Sequence, residues 1–172
     1  GIAGTQDMNY FEMKRLNGLM DSVGIQNQFI EFKGKHQWPY EATMSEAITM
    51  LEIDAMQNFP SNKKTADDYL SMNQNRIQTL KENLSPDSLA LAFSISKRTL
   101  QTLNGIVDVE SLKSNIDELN QKPLLQHYLK EQALLEQYEH KKQIEFSSSF
   151  GSKSESWWKQ EILKLENEET GI

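Results

Sequence analysis

The chain has 172 residues, 37% hydrophobic and 25% charged, with a formal net charge of −7 and no cysteine. The negative charge argues against a nucleic-acid surface, which needs clustered Lys and Arg against phosphates. No apolar run of about eighteen residues is present to cross a bilayer, and the lack of Cys excludes disulfides, zinc–thiolate sites and a Cys nucleophile. The length suits one domain, or one domain plus a fragment, and the scarcity of Gly and Pro favours helix over an all-β fold.

Ile2 to Thr5 reads as a short strand running into the turn Gly4-Thr5-Gln6-Asp7. Asn9-Tyr10-Phe11-Glu12 has the capping-box pattern, with Asn9 as cap and Glu12 reaching back. Met13, Leu16, Met20 and Val23 follow at helical spacing, and Gly24 suits the C′ position. Asn27 to Phe32 is a second strand, apolar at Phe29, Ile30 and Phe32, as expected of a strand covered on both faces. It leads into Lys33-Gly34-Lys35-His36-Gln37-Trp38-Pro39. A second capping box, Thr43-Met44-Ser45-Glu46, opens a helix with an apolar stripe of Met44, Ala47, Ile48, Leu51 and Ala55. That helix should end near Asn58, because Pro60 disfavours helix at Phe59.

From Ser61 onward the patterning is helical. Thr65 to Leu84 carries Tyr69, Met72, Ile77, Leu80 and Leu84. Ser85-Pro86-Asp87 supplies an N-cap, a first-turn proline and a first-turn acid for a helix with Leu89, Ala92, Phe93, Leu100 and Leu103, stopped by Asn104-Gly105. Asp108 caps a shorter helix with Val109, Leu112, Ile116 and Leu119. Pro123 opens a long helix to about Phe146, with Leu125, Tyr128, Leu129 and Leu135. Ser147 to Ser152 is a polar break, and Ser152-Lys153-Ser154-Glu155 caps a last helix with Trp158, Ile162 and Leu165. Residues from Glu166 should fray. No repeat of tetratricopeptide type is present. The expected fold is therefore mainly α: a β-α-β-α segment with two parallel strands over residues 1–59, then an irregular antiparallel helical bundle over 60–172.

Chemistry concentrates at the two strand ends. Histidine titrates nearest neutrality, and loops at strand ends are where catalytic groups tend to sit. Asp7 and His36 lie one strand–helix–strand unit apart, so parallel pairing puts both at the same edge of the sheet. With this order, spacing and flanking pattern, residues 1–57 resemble the last part of an α/β-hydrolase domain. In that family the acid follows one of the last strands and the His follows the final strand, in the order Ser, Asp, His. The resemblance implies that Asp7 is the acid and His36 the general base, with His36 taking the nucleophile's proton and Asp7 holding its tautomer. No Gly-x-Ser-x-Gly occurs in the 172 residues, and the chain begins Gly-Ile. The expectation is a C-terminal piece of a longer Ser-Asp-His hydrolase acting on an ester, amide or peptide, inactive alone, with Gly1 a remnant outside the fold. No cofactor and no metal is expected.

Other candidates have plainer readings. His127 and His140 are thirteen residues apart, not at the i, i+4 spacing of paired ligands, and suit a solvated face. Glu131, Glu136, Glu139, Lys141 and Lys142 read as a charged outer face. Trp157 and Trp158 point about 100° apart on a helix, one packing into a core and the other part-exposed. Ser147 to Ser149 has no accompanying base or Gly-rich turn. The competing functional reading is a non-catalytic interaction module, in which residues 60–172 bind a protein partner and the first segment is degenerate. In either case open strand edges predict a homodimer through the first segment, with Phe29, Ile30 and Phe32 as its apolar surface.

Overall fold

The computed structural model describes residues 1–58 and 63–169. It is mainly helical, with one two-stranded parallel sheet. Strand β1 (Ile2–Gly4) and strand β2 (Ile30–Phe32) pair with Ile2 opposite Ile30, Ala3 opposite Glu31 and Gly4 opposite Phe32. Helix α1 (Tyr10–Ser22) crosses between them, because parallel neighbours cannot be joined by a tight turn. Gly1 is part of the ladder rather than outside it: its carbonyl accepts from the Ile30 N–H at 2.9 Å and its ammonium donates to the Gln28 carbonyl at 2.7 Å. Alternation along β2 buries Ile30 and Phe32 and sends Glu31 to the other face, where the Tyr10 hydroxyl donates to it.

Helix α2 (Glu41–Asn58) starts directly after Pro39-Tyr40, so Thr43 and Glu46 lie inside it and form no capping box. Its buried face is Glu46, Met50 and Ile53, with Ala47 half-buried. The expected stripe is mostly turned outward: Met44, Ile48, Leu51 and Ala55 are exposed, Leu51 to 70%. The reason is electrostatic as much as apolar. Arg98 Nη2 lies 2.5 Å from Glu46 Oε1 and Arg76 Nη1 lies 3.2 Å from Oε2, so the charged residue sits on the inner face with two partners. The expected effect of Pro60 on Phe59 falls outside the described residues.

Helices α3 (Lys63–Glu82), α4 (Pro86–Leu103) and α5 (Glu110–Asn120) pack in succession through short turns. Ser85 caps α4, its hydroxyl accepting from the Ser88 N–H at 3.1 Å. Asp108 works one position before the N-cap of α5, where it accepts from the Glu110 N–H at 3.0 Å. Ile77, Leu89, Ile95, Leu103, Leu112 and Leu119 are core residues, and Ile30, Met50 and Ile53 belong to the same cluster. The strand-bearing segment and the helices thus share one core. Met72 and Leu84, expected in the core, are exposed, and Asn73 is buried on the inward side of α3 instead.

The chain divides into two compact units, Gly1–Gln132 and Ala133–Ile172. Helix α6 (Pro123–Ser149) contributes its first turns, with buried Leu125, to the first. In the second, α6 continues through Ser147–Ser149, so the expected polar break begins only at Phe150, and Gly151 takes the left-handed conformation at φ +77°. Ser154 caps helix α7 (Glu155–Glu169), accepting from the Trp157 N–H at 3.3 Å. Trp157 and Trp158 are both half-buried, their rings 4.9 Å apart edge-on, and the Phe146 ring lies 5.6 Å from that of Trp158. Lys142 does not lie on an outer charged face. It is half-buried, with Nζ 5.7 Å from the Phe146 ring.

Candidate active site

Asp7 and His36 are brought together. The turn after β1 and the turn after β2 are joined by backbone bonds: Thr5 N–H donates to the Phe32 carbonyl and Gln6 N–H to the Gly34 carbonyl, both at 2.9 Å. Asp7 N–H closes back on the Gly4 carbonyl at 3.0 Å, which turns the Asp7 side chain toward the second loop. His36 Nδ1 then lies 3.1 Å from Asp7 Oδ2 and 3.2 Å from Oδ1.

The local roles differ from the capping-box expectation. Asn9 makes no side-chain cap to α1, and its own N–H, the group Glu12 would reach back to in a capping box, donates instead to Asp7 Oδ1 at 3.0 Å. A short acceptor placed two residues before the first turn competes well for that N–H. Two sets of donors therefore converge on one carboxylate. The Asn9 N–H, first, and then the His36 ring hold the Asp7 carboxyl below its ordinary range.

An ionised carboxylate only accepts hydrogen bonds. In the neutral imidazole, Nδ1 must therefore carry the proton that faces Asp7, and Nε2 keeps its lone pair. The Asp7 side chain is 12% exposed and that of His36 68% exposed. The pair is thus anchored at the acid and open at the base. Nearby on the chain, Met8 is 72% and Trp38 87% exposed. Phe32 anchors the far end of the second loop, buried and edge-on to Tyr40 at 5.8 Å between ring centroids.

His127 and Glu131 form an exposed i, i+4 pair at 3.3 Å on α6. Among the described residues no group of three His, Asp or Glu is arranged to hold a metal ion, and no helix is long and apolar enough to cross a membrane. Two further features shape the site. One is the contact of Gly4 with the Gly34-Lys35 backbone. The other is the Glu46–Arg98–Arg76 cluster, which ties α2, the helix that follows the His36 loop, to α3 and α4. A glycine within a strand is a weak pointer to the first; nothing local points to the second.

No family model, no curated protein and no solved structure matches this chain.

Proposed function

We propose that Asp7 and His36 are the acid and base of a Ser-Asp-His hydrolase of α/β-hydrolase type, and that this chain is a C-terminal part of it. The observation that carries the reading is the His36 Nδ1–Asp7 pair at 3.1 Å, on adjacent parallel strand ends, with Nε2 left open. A base held this way takes a proton from a nucleophile through Nε2 while the carboxylate steadies the imidazolium. The substrate class is an ester, amide or peptide passing through an acyl-enzyme. In this reading the nucleophile and oxyanion hole belong to upstream sequence, since these 172 residues contain no Gly-x-Ser-x-Gly, and the helices after α2 are an extension, of which α3 to α5 share the core of the hydrolase part. In a longer protein carrying upstream sequence, a fluorophosphonate probe is expected to label one serine before Gly1. His36→Ala is expected to slow that labelling by about 10²-fold or more, and the present chain is expected to take no label. A longer protein with no reactive serine would sink the proposal.

A second reading, interaction rather than catalysis, is favoured by exposed apolar side chains. In the second unit Leu134, Ile144, Phe150, Ile162 and Leu163 are exposed, which suits a protein partner. In the first unit the outer face of α2 presents Met44, Ile48 and Leu51. Ile30 and Phe32 are buried within the chain, so homodimerisation through the first segment would use the α2 face and the strand edges instead. Light scattering is expected to show a dimer that Leu51→Glu converts to monomer; a monomeric parent at high concentration ends the idea.

A further inference from the structure

We propose that Gly4, latched against Gly34, is the positioning residue that sets the Asp7–His36 hydrogen bond. Gly4 ends β1 and is buried. A Cβ at Gly4 would stand 2.7 Å from the Gly34 carbonyl carbon and 2.7 Å from the Lys35 carbonyl oxygen, and closer still to the Gly34 oxygen. These are backbone atoms, so no rotamer change clears them. The Gly34 oxygen is also the acceptor for the Gln6 N–H at 2.9 Å. The two turns therefore meet backbone to backbone, with no side chain between them, and only glycine permits that approach.

The facing turn is as constrained. A Cβ at Gly34 would stand 2.6 Å from Phe32 Cε2 and 3.3 Å from Gln37 Nε2. The Phe32 ring is buried and rests edge-on against Tyr40, so it has little room to retreat. Gly4 precedes Asp7 by three residues and Gly34 precedes His36 by two. The contact between the glycines thus fixes the distance between the two side chains with few intervening torsions.

The magnitudes decide the outcome. Ordinary contact for a Cβ begins at 3.4 Å, so Gly4→Ala must open the interface by at least about 0.7 Å to clear the two atoms at 2.7 Å, and by more to clear the Gly34 oxygen. Carried through to the side chains, that takes the 3.1 Å Nδ1–Oδ2 pair beyond the ~3.5 Å at which a hydrogen bond is lost. Gly18, on α1, is the control: a Cβ there meets nothing within 4 Å.

The catalytic meaning of this latch rests on the hydrolase reading, but its test does not. The readout is the imidazole tautomer of His36, taken from long-range proton–nitrogen NMR of the labelled chain at a pH where the ring is neutral. The wild type is expected to show Nδ1 protonated and Nε2 bare. Gly4→Ala is expected to lose that pattern and match Asp7→Asn, while Gly18→Ala retains it. The dispersed amide signals of the buried Leu89, Ile95 and Leu103 report whether the first unit is still folded; if Gly4→Ala unfolds, Gly34→Ala replaces it, with the same loss expected. A folded variant at either glycine that keeps the wild-type tautomer overturns the proposal, and so does a wild type lacking it. Failure of the hydrolase reading would show differently, as no labelled serine in the longer protein with the tautomer change intact.

Discussion

Arg98→Ala is expected to destabilise the first compact unit by about 3–5 kcal/mol, the usual consequence of removing one partner from a buried ion pair. Arg98 and Glu46 are 7% and 8% exposed, and Nη2 lies 2.5 Å from Oε1. Without Arg98 the buried carboxylate keeps only Arg76, which is 44% exposed at 3.2 Å and supplies a weaker, hydrated charge. The aliphatic stem of Arg98 goes as well, leaving its packing unfilled. Burial, and then the Glu46 charge, raises the Tyr69 phenol above its ordinary pKa, so the same carboxylate is felt across the α2–α3 junction. Urea unfolding at neutral pH measures the loss. The double variant Glu46→Met, Arg98→Met is expected to recover most of it, because an apolar pair of similar volume carries no desolvation cost. An Arg98→Ala loss below about 1 kcal/mol, as for a surface pair, would show that the cluster does not hold α2 in place.

Ile53→Ala is expected to cost about 2–5 kcal/mol, while Leu51→Ala, two residues earlier, stays within about 0.5 kcal/mol. Ile53 is fully buried in the cluster shared with α3, α4 and α5, and Leu51 is 70% exposed. The larger loss combines the transfer of the deleted carbons with the cavity left between helices that relax only partly. The comparison tests which face of α2 is inward, since the sequence stripe contains Leu51 and omits Ile53. Equal losses at both positions, read from thermal or urea melts, would overturn the face assignment.

The Asp7–His36 pair was legible because it needs only local rules. A strand, a helix and a second strand imply parallel pairing, and parallel pairing puts both strand ends at one edge. The start of α4 was legible in Ser85-Pro86-Asp87, and the turns at Gly24, Gly105 and Gly151 in residues that accept positive φ. In each case the physics lies within a few residues of chain.

The rest depended on what each surface meets. α2 carries apolar residues on two faces, so its periodicity could not choose between them. The choice fell to what α3 and α4 present, tens of residues away: a shared core for Met50 and Ile53, and Arg98 and Arg76 as partners for Glu46 between them, which leaves Met44, Ile48 and Leu51 outside. Asn9 and Glu12 had the residue types of a capping box, but the Asn9 N–H that Glu12 would accept from went to Asp7, whose backbone was already turned by its bond to Gly4. Gly4 itself reads from the sequence as a strand end, and only the neighbouring turn shows why it has no side chain. By itself the sequence determined which elements occur, where α4 begins and that Asp7 and His36 share one sheet edge, because period and turn chemistry are short-range. Only the tertiary structure decided which faces are buried and how closely the two turns meet, because burial, ion pairing and steric approach are properties of two segments at once.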